Sequence, residues 1–262
     1  IEENFEPGST MKVFTLAAAV EEGVFNPNAT FTTGTYKIGS RVMGDHSGIK
    51  RGVAMTYLQA VQRSSNVGFI KLGYELLGKE KLQQYLTKFG LADKTGIDLP
   101  NEAGSNLLFN RDVEVATTSF GQGSVVTPIQ QIQAFTAIAN DGEMMKPYVV
   151  SKITDSSGEV LEKKEPTVAD KPISADTAKT VREYLETVIT DEKATGTAYA
   201  IDGYSVAGKT GTAQIPGPNG KYLTGHENYI FSFIGMAPAD DPELIMYVAA
   251  KQPDLSSGGT GA

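Results

Sequence analysis

Residues 204–215, 229–237 and 244–251 read as three strands joined by turns rich in Pro, Gly and Asn. Their short connections imply antiparallel pairing. The earlier chain is mostly helical in pattern. Helices are expected over 10–22, closed by Gly23 at the C′ position, over 56–63 behind a Thr56 cap, over 67–77, and over 79–89 up to Gly90. Thr127 and Pro128 fit the cap and first position of a helix running to Asn140, and Ile129, Ile132, Phe135 and Ala139 on it follow helical spacing, as a core helix requires. Ser174 caps a further amphipathic helix over 174–190. Residues 26–52, rich in Gly, Thr, Asn and Asp, read as irregular with short strands such as 35–38. Residues 91–110 read as a loop region, and 148–154 with 159–162 as a hairpin around Ser156-Ser157-Gly158. Helices early and a meander late point to an α+β fold, an antiparallel sheet flanked by helices, rather than alternating α/β. The one low-complexity tract is 256–261.

Bulk properties exclude several functions. The 262 residues carry 40% hydrophobic and 21% charged side chains, enough apolar material for a substantial core. The net charge of −8, with no basic stripe, argues against a nucleic-acid ligand. No apolar run approaches the roughly 18–20 residues that span a bilayer. Without cysteine there is no disulfide, thiolate metal site or cysteine nucleophile. The two histidines, His46 and His226, have no partner at metal-ligand spacing and read as ordinary polar side chains; neither a metal nor another cofactor is expected.

Chemistry first appears at Glu6-Pro7-Gly8-Ser9-Thr10-Met11-Lys12. Pro7 and Gly8 break preceding structure, and Ser9 is expected at the start of the first helix, where free N–H groups and the dipole favour negative charge. Lys12 falls nearly one turn on, on the same face. A serine hydroxyl is a poor nucleophile until a base takes its proton, and a neutral lysine could be that base. Taken alone, the pair fits equally an N-cap serine beside an exposed lysine. Ser64-Ser65-Asn66 is a polar break between two helical segments, of the kind that caps a helix or lines a cleft.

Lys209 admits two readings. Gly203 to Thr210 matches G-x-x-x-x-G-K-[ST], a phosphate-binding loop. That loop needs a helix after it, whereas Gly211-Thr212-Ala213-Gln214-Ile215-Pro216 follows. The second reading places Lys209-Thr210-Gly211-Thr212 on a strand, where Gly211 lets another backbone or a ligand come close and the cation and hydroxyls face a carboxylate. Lys94-Thr95-Gly96 carries the same three letters but sits in a loop after a helix, and reads as structure.

In order, Ser9-x-x-Lys12, Ser64-Ser65-Asn66 and Lys209-Thr210-Gly211 form the trio S-x-x-K, S-x-N, K-T-G of penicillin-binding proteins and class A β-lactamases. With Ser119-Phe120-Gly121-Gln122-Gly123, 137–142 and 208–214, the chain resembles, over nearly its whole length, the transpeptidase domain of class B penicillin-binding proteins. It looks like the cell-division type found in Gram-positive bacteria, similar to penicillin-binding protein 2x. Ser65 stands where S-D-N has Asp, a variant usual in that family.

The resemblance implies a penicillin-binding transpeptidase / serine β-lactamase-like fold over 1–262. It implies a D,D-transpeptidase whose donor is a peptidoglycan stem peptide ending in D-Ala-D-Ala and whose inhibitors are β-lactams. Ser9 would be the nucleophile, Lys12 its base, and Ser64 a proton relay. Asn66 would orient Lys12 and the substrate amide, Lys209, Thr210 and Thr212 would hold the terminal carboxylate at the Gly211 strand, and the backbone N–H groups of Ser9 and Thr212 would form an oxyanion hole. It also implies residence at the extracytoplasmic face of the membrane, with a membrane glycosyltransferase and division proteins as partners. The family places strands before the nucleophile and a helix after the last strand. The domain is therefore expected to be incomplete at both ends, a fragment of a longer membrane-anchored protein or one completed by a second polypeptide. Two rival readings remain: a β-lactamase, for which Glu102, Glu114 or Glu165 would have to activate water, and a penicillin sensor that acylates and stays acylated.

Overall fold

The computed structural model describes residues 1–219 and 221–254; the low-complexity tract at 256–261 lies outside them. In chain order the helices are α1 (Lys12–Glu21), α2 (Tyr57–Gln62), α3 (Asn66–Ile70), α4 (Lys79–Lys88), α5 (Asp112–Thr118), α6 (Pro128–Ala139) and α7 (Ala175–Thr190). Among them run the short strands β1 (Thr30–Thr32), β2 (Thr35–Ile38), β3 (Arg41–Gly44), β4 (Ala54–Thr56), β5 (Met144–Met145), β6 (Lys152–Thr154), β7 (Val160–Lys163) and β8 (Val168–Asp170). The long ones, β9 (Ala207–Gln214), β10 (Tyr229–Ala237) and β11 (Leu244–Lys251), come last. The α+β reading holds: β11-β10-β9 form one antiparallel sheet, with Phe231 opposite Thr212 and Ile234 opposite both Lys209 and Tyr247.

Helix α1 is the axis of the core. Lys12 through Ala19 are all buried, and a helix apolar on nearly every side can only be stable inside. It packs between α4 and α7, with Phe14 against Phe89 at 5.3 Å, while α7 lies against β9 and α6 against β11. Caps set the helix starts as the sequence implies: Thr56 and Thr127 close capping boxes with Gln59 and Gln130, and the Ser174 hydroxyl accepts from Thr177 N. The outward side chains Leu244, Met246 and Val248 of β11 are exposed.

Three expected elements differ. The helix expected over 10–22 begins as a 3-10 turn, Gly8–Met11, before α1, so Ser9 sits inside a tight turn rather than at a cap. The tightening lets Gly8 N donate to Gly121 O at 2.9 Å. The helix expected over 67–77 divides into α3 and a wider π-type segment, Lys71–Leu77. The strand expected from 204 begins at Ala207, because Ile201 and Tyr204 close a separate small turn first.

Candidate active site

Two glycines weld the Ser9 turn to its surroundings. A Cβ on Gly121 (φ +89°) would lie 1.9 Å from the Gly8 carbonyl oxygen, and one on Gly8 (φ +58°) would lie 2.7 Å from that of Thr212. Only bare backbone permits this contact. Gly211 plays the part expected of a strand glycine: a Cβ there would meet Ser232 Oγ at 2.3 Å and Thr10 Cγ2 at 3.0 Å. Ser9 is thus held against the middle of β9.

One turn on, Lys12 is fully buried. Its ammonium reaches Ser64 O at 2.7 Å, Asn66 Oδ1 at 2.8 Å and Ser64 Oγ at 3.2 Å, and stands 5.4 Å from the centre of the Phe69 ring. Ser64 can offer both oxygens because its backbone is left-handed (φ +58°), a conformation costing a non-glycine residue about 1 kcal/mol or more. From the other side Lys209, also buried, reaches Ser64 Oγ at 2.9 Å and Thr210 O at 3.2 Å. Burial holds the Lys12 ammonium well below the ordinary lysine range, and the Lys209 charge pushes the same way while Asp45 opposes it. Burial brings Lys209 down to about 7.

The structure therefore brings Ser9, Lys12, Ser64, Asn66, Lys209, Thr210, Gly211 and Thr212 into one place. A groove of about 700 Å³ runs over them, walled by the Ser64 turn on one side and β9 on the other. Lys94 is elsewhere: its neighbours Thr95 and Gly96 give their N–H groups to the Glu102 carboxylate at 2.7 and 3.0 Å, which makes that loop a structural turn.

Three groove residues, Asp45, His46 and Thr195, stood in no sequence motif. Asp45 Oδ1 accepts from Ser65 Oγ at 2.7 Å and Val67 N at 3.0 Å, and Oδ2 from Gly34 N at 3.0 Å. The carboxylate that Ser-Ser-Asn lacks at its middle position is supplied from the loop after β3. His46 beside it places Nε2 2.9 Å from Arg63 O, just before Ser64. Thr195, after α7, donates its N–H to Gln62 O at 3.0 Å and shares a 2.9 Å hydroxyl contact with Thr210, so it staples the two walls together at one end. At the other end Gln122 Nε2 reaches Gln214 Oε1 at 3.3 Å.

The glutamates that a hydrolase reading would need are committed elsewhere. Glu102 is held by Thr95 and Gly96, Glu114 by Asn110 and Arg111, and Glu165 pairs with Lys163. None of the three lines the groove.

Comparison with known proteins gives the family and the fold. The family described as the penicillin binding protein transpeptidase domain matches residues 1–262. Stage V sporulation protein D of Bacillus subtilis is 44% identical over 272 residues, covering 98% of this chain and 40% of that protein. Peptidoglycan D,D-transpeptidase FtsI of Escherichia coli K12 is 31% identical, covering 98% and 41%. The crystal structure of penicillin binding protein 2X from Streptococcus thermophilus superposes with a TM-score of 0.90 at 36% identity, covering 96% of this chain and 38% of that one. Penicillin binding protein 3 of Mycobacterium tuberculosis, complexed with aztreonam, gives 0.88 at 30% identity, covering 97% and 58%. The chain thus spans about two-fifths of the length of these curated relatives.

Proposed function

The chain belongs to the penicillin-binding protein transpeptidase domain family, and on that premise we propose that it is a serine D,D-transpeptidase that cross-links peptidoglycan stem peptides and is trapped by β-lactams. The observation that carries this reading is the pair of buried lysines meeting at Ser64 Oγ beside Ser9, at a groove that no glutamate lines among the described residues. Ser9 Oγ attacks the carbonyl of the penultimate D-alanine of a stem ending in D-Ala-D-Ala. Neutral Lys12 takes the hydroxyl proton, and Ser64 passes a proton to the departing nitrogen as the C–N bond breaks. The amine of a second stem then attacks the Ser9 ester, its proton returns by the same route, and the serine is regenerated. Lys209, Thr210 and Thr212 receive the donor's terminal carboxylate, Gly211 lets the turn that carries Ser9 pack close against the strand, and the amides of Ser9 and Thr212 stabilise the oxyanion. Asn66 keeps Lys12 aimed.

Among the described residues the carboxylate that lines the groove, Asp45, is taken up by Ser65, Val67 and Gly34, which favours transfer over hydrolysis, since a deacylating water needs a positioned base. The solved structures of a relative, penicillin binding protein 3 of Mycobacterium tuberculosis, complexed with aztreonam and with ampicillin, support β-lactam binding by this chain. Residues 1–262 are taken as a transpeptidase domain within a longer protein acting on cell wall outside the cytoplasm, with a membrane glycosyltransferase and division or sporulation proteins as partners. Among the described residues no helix is long and apolar enough to cross a membrane. The test is labelling with fluorescent penicillin followed by peptide mapping and mass spectrometry. A single adduct on Ser9, lost in Ser9→Ala and stable for many minutes, is expected; rapid turnover of the drug would favour a β-lactamase, and a label on another residue would refute the assignment.

A further inference from the structure

The register of the groove gives the bound donor a direction. With its terminal carboxylate at Lys209–Thr210 and its reacting carbonyl between Ser9 and Thr212, an extended donor lies antiparallel to β9. Its preceding residues then pass Gln214, since each residue advances about 3.3 Å along a strand. Gln214 is bridged to Gln122, and Gln122 also lines a second cavity of about 570 Å³. Two guanidinium groups face that cavity. Arg111 is engaged by Glu114 at 2.7 Å. Arg41, exposed at the start of β3, has no carboxylate within ion-pair distance among the described residues. The carboxylates along the same wall are committed: Glu114 to Arg111, and Asp112 to the Tyr74 hydroxyl. Tyr222 closes the far side, its hydroxyl given to buried Glu6 at 2.9 Å, three residues before the nucleophile. The cavity is thus contiguous with the path of the donor and is left with one uncompensated cation.

Resting on the transpeptidase reading, we propose that this cavity is a donor subsite: Arg41 receives a carboxylate on the side chain of the residue that precedes D-Ala-D-Ala. The domain then selects stems carrying an acidic, diamino dicarboxylic acid at that position over stems carrying a simple diamino acid or an amidated side chain.

The test compares acylation of Ser9 by two synthetic tripeptide thioester or D-Ala-D-Ala donors that differ only in whether that side chain ends in a carboxylate or its amide. The wild-type domain is expected to acylate about five- to tenfold faster (kcat/KM) with the carboxylate, the range a charge-assisted contact supplies. Arg41→Ala is expected to erase the preference and Arg41→Lys to keep most of it, with melting temperatures unchanged because the residue is exposed. Equal rates in the wild type, or a preference that survives Arg41→Ala, would overturn the proposal. Failure of both donors and of a β-lactam to acylate Ser9 would overturn the transpeptidase reading itself, and the subsite with it.

Discussion

Lys12 and Lys209 converge on one hydroxyl: their ammonium nitrogens lie 3.2 and 2.9 Å from Ser64 Oγ. Two like charges sharing a buried oxygen cannot both remain protonated at little cost. The lower-lying proton is that of Lys12, which feels both burial and its neighbour's charge. Lys209 keeps its proton longer and is the one a bound carboxylate would stabilise.

A pH profile follows from this order. Lys12 must be neutral to act as a base, so kcat/KM rises as pH climbs through its depressed value. Lys209 must be charged to hold a carboxylate, so in the free enzyme the rate falls as pH passes about 7. Stopped-flow acylation across pH 5–10 with a carboxylate-bearing donor should give a bell. A rate still climbing at the alkaline end would contradict the division of labour.

The two Lys-Thr-Gly segments separate cleanly by mutation. Lys209→Ala should slow acylation by about 10²-fold or more, the scale of losing a preorganised electrostatic contact. Lys94→Ala, at a turn stitched by Glu102, should leave it unchanged. The opposite ranking would refute the assignment of the carboxylate site to β9.

Asp45 is expected to matter despite touching no reacting atom, because it fixes the start of α3 and so the aim of Asn66. Asp45→Ala abandons the Ser65 hydroxyl and the Val67 and Gly34 amides, at about 1–3 kcal/mol for each buried group left unpaired. Melting temperature should drop and acylation should slow. Asp45→Asn, which keeps one acceptor, should lose less of both. Equal effects of Ala and Asn would mean that the carboxylate acts by charge alone.

Gly121→Ala should be among the most damaging single-methyl changes in the chain, since the new carbon would overlap the Gly8 carbonyl. A loss of about 3 kcal/mol or more is expected together with displaced Ser9 and poor labelling. Gly203→Ala has the same left-handed backbone but nothing within 4 Å, and should cost only about 1 kcal/mol. Comparable melting temperatures for the two would show that the Gly8 turn can shift.

Much of this was legible in the sequence. The strand-like segments and short Pro/Gly/Asn turns of the last third give the β9–β11 meander, and the Thr56 cap and the Thr127-Pro128 pair place the starts of α2 and α6. Trio order singles out the segments that the fold assembles at Ser9, and the family resemblance was read from the same residues. What could not be read depends on long-range geometry. Asp45 sits in a Gly- and Asp-rich stretch where no spacing distinguishes it, and its role exists only because β3 ends beside α3. The split of the helix over 67–77 and the 3-10 start at Ser9 likewise come from tertiary contacts, which override local propensity.

The Thr195 staple ties the groove to a part of the chain that forms neither of its walls. Thr195 follows α7, yet it holds Gln62 O, two residues before Ser64, and Thr210 on β9. The gap between the Ser64 turn and β9 is therefore set at that end by a third segment, as a hinge pin sets the spacing of two leaves.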